Sequence, residues 1–200
     1  YIAGLHSGSD GQMSVIARHF PGLGSADRPP LEEVSTIQKS LEQLKQIELS
    51  PFMAVAGAEE PQQQADGFMV SHIRFQGLQG NIRATTKPVS FDQAALAQLL
   101  GVEPIASWRQ AGGLTVSDSL GSRAVRLFFD PTGSEFDPIN IARTAFLAGN
   151  DLLFLDNFKA KNDPDLFATI RRTLESFTAK YEEDSVFAQK VDESVRRILA

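Results

Sequence analysis

No cysteine occurs among the 200 residues, which removes disulfides, thiolate zinc sites, iron–sulfur clusters and cysteine nucleophiles together. Positive charge is also short: 19 Lys and Arg stand against 25 Asp and Glu, a net charge of -6. A protein binds a phosphate backbone by releasing its counterions to a basic surface, so this balance argues against nucleic-acid or anionic-membrane binding. No apolar run approaches the roughly 20 residues needed to cross a bilayer. The 3 histidines are far apart, and there is neither an HExxH helix nor an acidic calcium loop, so no metal site is expected. Phosphate loops and GxGxxG turns are absent, no cofactor is expected, and Ser117 and Ser119 lack the GxSxG setting of a nucleophile elbow. What is present is ordinary: 42% hydrophobic and 22% charged residues, the composition of a globular chain with one sizeable core.

Four short apolar runs read as buried strands: 15–20, 67–73, 113–117 and 151–155. Continuous apolar runs are the habit of parallel strands covered on both faces. Helical spacing fills the gaps. Ile37, Leu41, Leu44 and Ile47 predict a helix that Pro51 stops; Ala94, Leu96, Leu99 and Leu100 mark another, and Ile139 to Leu147 a third. Asp163-Pro164 predicts a helix start, with a stripe of Leu166, Ile170, Leu174 and Phe177. Asp184-Ser185 restarts a final helix with Phe187, Val191, Val195 and Ile198 on one side. Strands alternating with helices imply βα units and a parallel sheet or barrel.

Four such strands make about half of an eight-stranded barrel, which takes about 250 residues when complete. Tyr1 is followed at once by a helical register (Ile2, Leu5, then Met13 and Ile16), and the chain closes inside another, Ser194 to Ala200. It therefore reads as a single domain, residues 1–200, cut from a longer polypeptide: the C-terminal portion of a TIM-type (β/α)8 barrel with about four parallel strands, flanking helices and two C-terminal helices. An open doubly wound sheet is the structural alternative. Half a barrel has open strand edges, so self-association or pairing with the missing barrel half is expected. The compartment is not legible.

In α/β folds, chemistry gathers at the carboxyl ends of the strands. The ends here carry Arg18-His19, then Ser71-His72, then Ser117-Asp118-Ser119, then Asp156-Asn157. Each has a plain structural reading. His72 sits between apolar neighbours, as a core histidine does; Asp118 would serve as the N-cap of the next helix; His6 lies among small polar residues, as in a loop. Their combination is more specific.

Arg18-His19-Phe20-Pro21-Gly22, Leu49-Ser50-Pro51-Phe52, Met69-Val70-Ser71-His72-Ile73, Thr115-Val116-Ser117-Asp118-Ser119-Leu120 and Ala148-Gly149-Asn150-Asp151 resemble, in order and spacing, the catalytic barrel of glycoside hydrolase family 3. The resemblance is to the later part of that barrel in the bacterial β-N-acetylhexosaminidase branch, with its KHFPGHG, SDDL and AG(A/N)D motifs. It implies hydrolysis of β-linked sugars, of the β-N-acetylhexosaminidase or β-glucosidase type, by a retaining mechanism. Asp118 would be the nucleophile. Arg18 and His19 match a Lys-His pair that binds sugar hydroxyls, and His72 matches a pocket histidine. The partner implied is a carbohydrate. The sequence also departs from the pattern. Leu23 replaces the second histidine of HFPGHG, Ser119 the second aspartate of SDDL, and no histidine follows Asp27, where that branch places its acid/base. Asp27, Glu32 or Glu33 would have to donate the proton. If none does, the alternative is a degenerate barrel that binds carbohydrate or serves structure.

Overall fold

The computed structural model describes residues 1–199; Ala200, the last residue of the predicted terminal helical pattern, lies outside them. In chain order the elements are α1 (Ile2–Gly8), β1 (Ile16–Phe20), β2 (Ser35–Ile37), α2 (Leu41–Gln46), α3 (Ser50–Ala56), β3 (Gly67–Val70), β4 (Ile73–Phe75), α4 (Gln76–Gln79), α5 (Gln93–Leu100), α6 (Ile105–Gln110), β5 (Leu114–Ser117), α7 (Arg123–Phe129), α8 (Pro138–Ala148), α9 (Leu166–Glu183) and α10 (Ser185–Leu199). β1, β3 and β5 form a parallel sheet with β3 in the middle, Gly67 opposite both Ile16 and Leu114. This is a partial α/β barrel flanked by helices, with two further helices at its C-terminal end.

The fourth predicted strand lies beside β5 but is irregular. Leu152 N–H reaches Thr115 O at 3.1 Å and Leu152 O accepts from Ser117 N at 2.9 Å, which leaves a single bridge between Val116 and Leu152. Beyond it, Phe154 N–H donates to the Ser117 hydroxyl at 3.0 Å instead of to a backbone carbonyl. A side chain thus takes the ladder's place. The predicted run 67–73 is divided: β3 ends at Val70, and Ile73 opens β4, which pairs in parallel with β2. This second pair is not expected from the sequence, because three-residue strands carry almost no periodicity.

Two predicted helix boundaries are corrected. The stretch Ile37 to Ile47 is split: Ile37 belongs to β2, and α2 begins at a capping box in which Ser40 and Gln43 bond one another's backbone N–H. Pro51 opens the first turn of α3 rather than stopping α2. Likewise α9 is capped by Asp165, whose Oδ1 accepts from Ala168 N at 2.7 Å, while Asp163 accepts from Thr169 Oγ1 at 2.7 Å and from Arg172 at 3.0 Å. These bonds rotate α9 so that Thr169 and Thr173 face inward and Leu174 is 61% exposed. The predicted apolar stripe is therefore only partly used. Phe177 remains packed, edge-on to Phe146 and Phe187 at 5.7 and 5.4 Å.

The core beneath β1 and β3 is aromatic. Phe68 stacks on Trp108 at 4.1 Å and on Phe20 at 5.2 Å, with Phe52 edge-on to both. The indole N–H donates to Ala65 O at 2.7 Å. Gly113, just before β5, makes room for this indole: a Cβ there would stand 2.2 Å from Trp108 Cε2. Gly113→Ala is therefore expected to cost about 1–3 kcal/mol or more through overpacking. In a thermal melt that is a fall in Tm of roughly 3–10 °C for a chain this size; an unchanged melt would show that the ring can yield.

At the other end of the sheet, Asp151 is a buried hub. Its carboxylate accepts from Thr115 N at 3.0 Å, Ser194 Oγ at 2.9 Å, Arg197 Nη2 at 2.9 Å and both Nη atoms of Arg109. Four elements of structure thereby meet on one side chain: α6, β5, the fourth run and α10.

Candidate active site

The carboxyl ends of β1, β3 and β5 bring His19, His72 and Asp118 together. Asp118 extends β5 by one residue, its N–H donating to Val70 O at 3.0 Å, which fixes its backbone against β3. Its side chain is buried, the residue only 5% exposed. One oxygen, Oδ2, takes the Nδ1–H of His19 at 3.1 Å, and Oδ1 takes the N–H of Ser119 at 2.8 Å. Asp118 is not a helix cap; Ser122 caps α7. Burial pushes the Asp118 carboxyl up, but the His19 hydrogen bond, the proximity of His72 and the Ser119 N–H outweigh it and hold the group below the ordinary carboxylate range. It is an anion at neutral pH, with two fixed donors and little water.

His72 supports that arrangement from beneath. It is 1% exposed and stacked on Phe91 at 5.3 Å. The Ser119 carbonyl can only accept, so Nε2–H is the donor in that 2.9 Å contact, and Nδ1 accepts from the Ser90 hydroxyl at 2.8 Å. Burial pushes the His72 pKa down, against the pull of Asp118, so the ring is neutral at pH 7. The two hydrogen bonds to Asp118 therefore matter more to its ionisation than any charge on His72. Both ring nitrogens of His72 are committed to protein partners, and neither is left for a sugar hydroxyl. What His72 does is hold the Ser119–Leu120 peptide, one residue beyond Asp118, in place.

His19 and Arg18 face an open cleft of about 410 Å³ whose walls include Leu23, Gly24, Glu48 and Phe52. His19 keeps Nε2 without a partner among the described residues, and Arg18 is exposed with no carboxylate bonded to it. Glu48 forms the far wall and was not singled out by sequence, although it immediately precedes the Leu49-Ser50-Pro51-Phe52 motif. It is 4% exposed, and its Oε1 accepts from Lys39 Nζ at 2.5 Å and Ser25 Oγ at 2.6 Å. Burial pushes its carboxyl up, and Lys39 and Ser25 more than reverse this. The loop after β1 rests on it: Gly22 has φ +121, and a Cβ there would meet Glu48 Cβ at 2.7 Å, so no larger residue fits.

The proton donor expected in this loop is not arranged as one. Asp27 accepts from Ser35 Oγ and Thr36 N, both at 2.9 Å, and from Arg28 at 3.2 Å. Slight burial pushes its carboxyl up, but the Thr36 N–H, Ser35 and Arg28 bring it below the ordinary value. A general acid needs the opposite shift. Asp27 thus pins the loop to β2. Glu32 and Glu33 are exposed and paired with Arg123 at 3.0 Å and Arg28 at 2.8 Å. Leu23, standing where the resemblance has a histidine, packs against the aromatic core beneath β1 and β3.

The profile described as "Glycosyl hydrolase family 3 N terminal domain" matches residues 1–200. The chain belongs to glycosyl hydrolase family 3. Within the family, a beta-hexosaminidase of Idiomarina loihiensis is 26% identical over 173 residues, covering 84% of this chain and 44% of the relative. Among solved structures, the family 3 β-N-acetylglucosaminidase from Paenibacillus sp. str. FPU-7 aligns with a TM-score of 0.67 at 21% identity, over 96% of this chain and 31% of that one. The β-N-acetylhexosaminidase from Beutenbergia cavernae DSM 12333 aligns with a TM-score of 0.66 at 21% identity, over 96% of this chain and 47% of that one. The chain thus spans less than half the length of these family 3 relatives, and at such identity the structural likeness speaks to the fold.

Proposed function

We propose that this family 3 chain carries the nucleophile side of a retaining β-glycosidase site acting on β-linked N-acetylhexosaminides. The observation that carries the reading is Asp118: a buried, ionised carboxylate at a strand end, held by His19 and the Ser119 N–H. The names of the relatives support the sugar class. In the first step an Asp118 oxygen attacks the anomeric carbon, a glycosyl ester forms, and the bond to the leaving oxygen breaks. In the second, water attacks the same carbon, the sugar departs and Asp118 is released as the carboxylate. Arg18 and the free Nε2 of His19 are the groups placed to meet sugar hydroxyls, and His72 is a positioning residue acting through Ser119.

A second reading, a barrel that binds carbohydrate without turning it over, is favoured by one observation. No carboxylate of the Asp27–Glu33 loop is arranged as an acid. Leaving-group chemistry separates the two. General-acid catalysis contributes on the order of 10²–10⁴, and a dinitrophenyl leaving group needs none of it. Turnover of dinitrophenyl β-N-acetylglucosaminide, falling at least about a hundredfold for poor leaving groups, is the expected result. Equal rates across the series would reveal an acid elsewhere, and binding of N-acetylglucosamine without turnover of any aryl β-glycoside would favour the second reading.

A further inference from the structure

Against the net charge of -6, one surface is cationic. Two adjoining clefts, each of about 530 Å³, share Arg123, Arg126 and Lys159, and the outer one adds Lys161. They open where β5 and the fourth run end. Gly121 and Ser122, in the wall of the inner cleft, follow Asp118 by three and four positions, and Asn157 opposite them follows Asp156. Gly121 is pressed so closely on that segment that a Cβ would lie 2.2 Å from Asp156 O. The cleft floor and the Asp118 strand end therefore share one rigid turn.

Arg126 is the built element of this surface. Its guanidinium lies 3.9 Å from the centre of the Phe136 ring and donates to the carbonyls of Gly121, Asn157 and Lys159. All of these partners are neutral. Its Nη1 donates to none of the described residues, which leaves N–H groups free, and the one carboxylate whose charge acts on it, Asp130, forms no ion pair with it. Lys159 and Lys161 have no carboxylate partner among the described residues, and Arg123 has only the exposed Glu32, at 3.0 Å. The one carboxylate lining the clefts, Asp130, has its oxygens turned to its own loop, accepting from Thr132 Oγ1 at 3.1 Å and from Ser134 N and Glu135 N at 3.0 Å, and its single charge stands against four cationic side chains. A guanidinium with a free edge, beside two unpaired ammonium groups, suits an oxyanion with several acceptor atoms. Leu166, which is 37% exposed, adds apolar surface on which a ring can rest.

We propose that this double cleft is an anion-binding subsite for a carboxylate- or phosphate-bearing saccharide, adjoining the Asp118 site. The saccharide part rests on the glycosidase reading; the oxyanion part rests on the cleft alone. Calorimetric titration of the chain with tetragalacturonate, glucose 6-phosphate and neutral cellotetraose tests it without needing turnover. At least one of the two anionic probes is expected to bind more tightly than cellotetraose, and added salt to weaken that binding. The response of each probe tells carboxylate from phosphate. Lys159→Gln with Lys161→Gln, both exposed positions, should weaken it about three- to thirtyfold without altering the melt. Arg126→Gln should weaken it further, with a thermal melt to separate lost packing from lost binding. Equal binding of cellotetraose, no binding of either anion, or an unchanged affinity in the double lysine variant would each overturn the proposal. Anion binding retained by a protein that hydrolyses no glycoside would strike the glycosidase reading alone.

Discussion

Asp118→Asn is expected to lower turnover of activated aryl β-N-acetylglucosaminides by about 10⁴-fold or more, the scale seen when a nucleophile is removed, and to lower the thermal melt by roughly 2–12 °C, because one of the two donors to the carboxylate, His19 or the Ser119 N–H, loses its acceptor. The substitution keeps the volume, one oxygen for His19 Nδ1–H and the burial of the group, and removes the charge that attacks carbon. Since the group's pKa is held below the ordinary carboxylate value by its hydrogen-bond donors, the unmutated chain should keep Asp118 ionised through the mildly acidic range. Stability follows the same sign. The ionised Asp118 contributes stability that is complete above the ordinary carboxylate pKa of about 3.9 and is lost as pH falls through its lowered value. A merely structural Asp118 would lose activity only in proportion to the protein unfolded at the assay temperature. Azide supplied to Asp118→Gly separates these further, because a nucleophile entering the vacated space attacks from the Asp118 face and yields a glycosyl azide of inverted configuration. Full activity in Asp118→Asn would remove Asp118 from the mechanism.

The residues of this site were legible because polar residues stand at or near the carboxyl ends of three apolar runs, and parallel pairing, with a register shift between Ala17 and Phe20, brings His19, His72 and Asp118 to one edge. Their roles were less legible. Whether His72 faces a ligand or a carbonyl depends on Ser90 and Ser119, which are 18 and 47 residues away. Asp27 reads as a free loop acid until Ser35 and Thr36 of β2 are seen to consume its oxygens. Glu48 looked like any charged residue on a surface helix. Its importance comes from the loop that descends on it at Gly22, a long-range contact with no local periodic signal. The same limit applies to α9, where a good apolar stripe was overridden by hydrogen bonds from Thr169 and Arg172 to Asp163.

Asp151→Ala should be the most damaging single change to the fold, at about 3–5 kcal/mol, the cost of breaking a buried ion pair from one side. For a chain of this size that corresponds to a fall in Tm of roughly 6–20 °C. The carboxylate is all that joins the guanidiniums of Arg109 and Arg197, whose side chains are 17% and 25% exposed, so its removal leaves two cations partly out of water and facing one another. It also frees Thr115 N in the middle of β5 and Ser194 on α10. Burial pushes the Asp151 carboxyl up, but Arg109, Thr115 and Arg197 more than reverse this. Its contribution is thus complete above about pH 3.9 and is lost as pH falls through the lowered value. Asp151→Asn should remove that part of the acid dependence while keeping some of the hydrogen bonds, and so should melt between wild type and Asp151→Ala. Arg197→Met alone should cost less than Asp151→Ala, because Arg109 still neutralises the carboxylate. Equal losses in the two variants would mean that the Arg197 link carries the whole contribution of the hub, whereas a negligible loss in Arg197→Met would mean that α10 docks through Phe187 and its aromatic neighbours. Because Asp151 lies at the start of the fourth run and Asp118 at the end of β5, damage at the hub should lower the amount of folded protein without changing the pH profile of the turnover that remains.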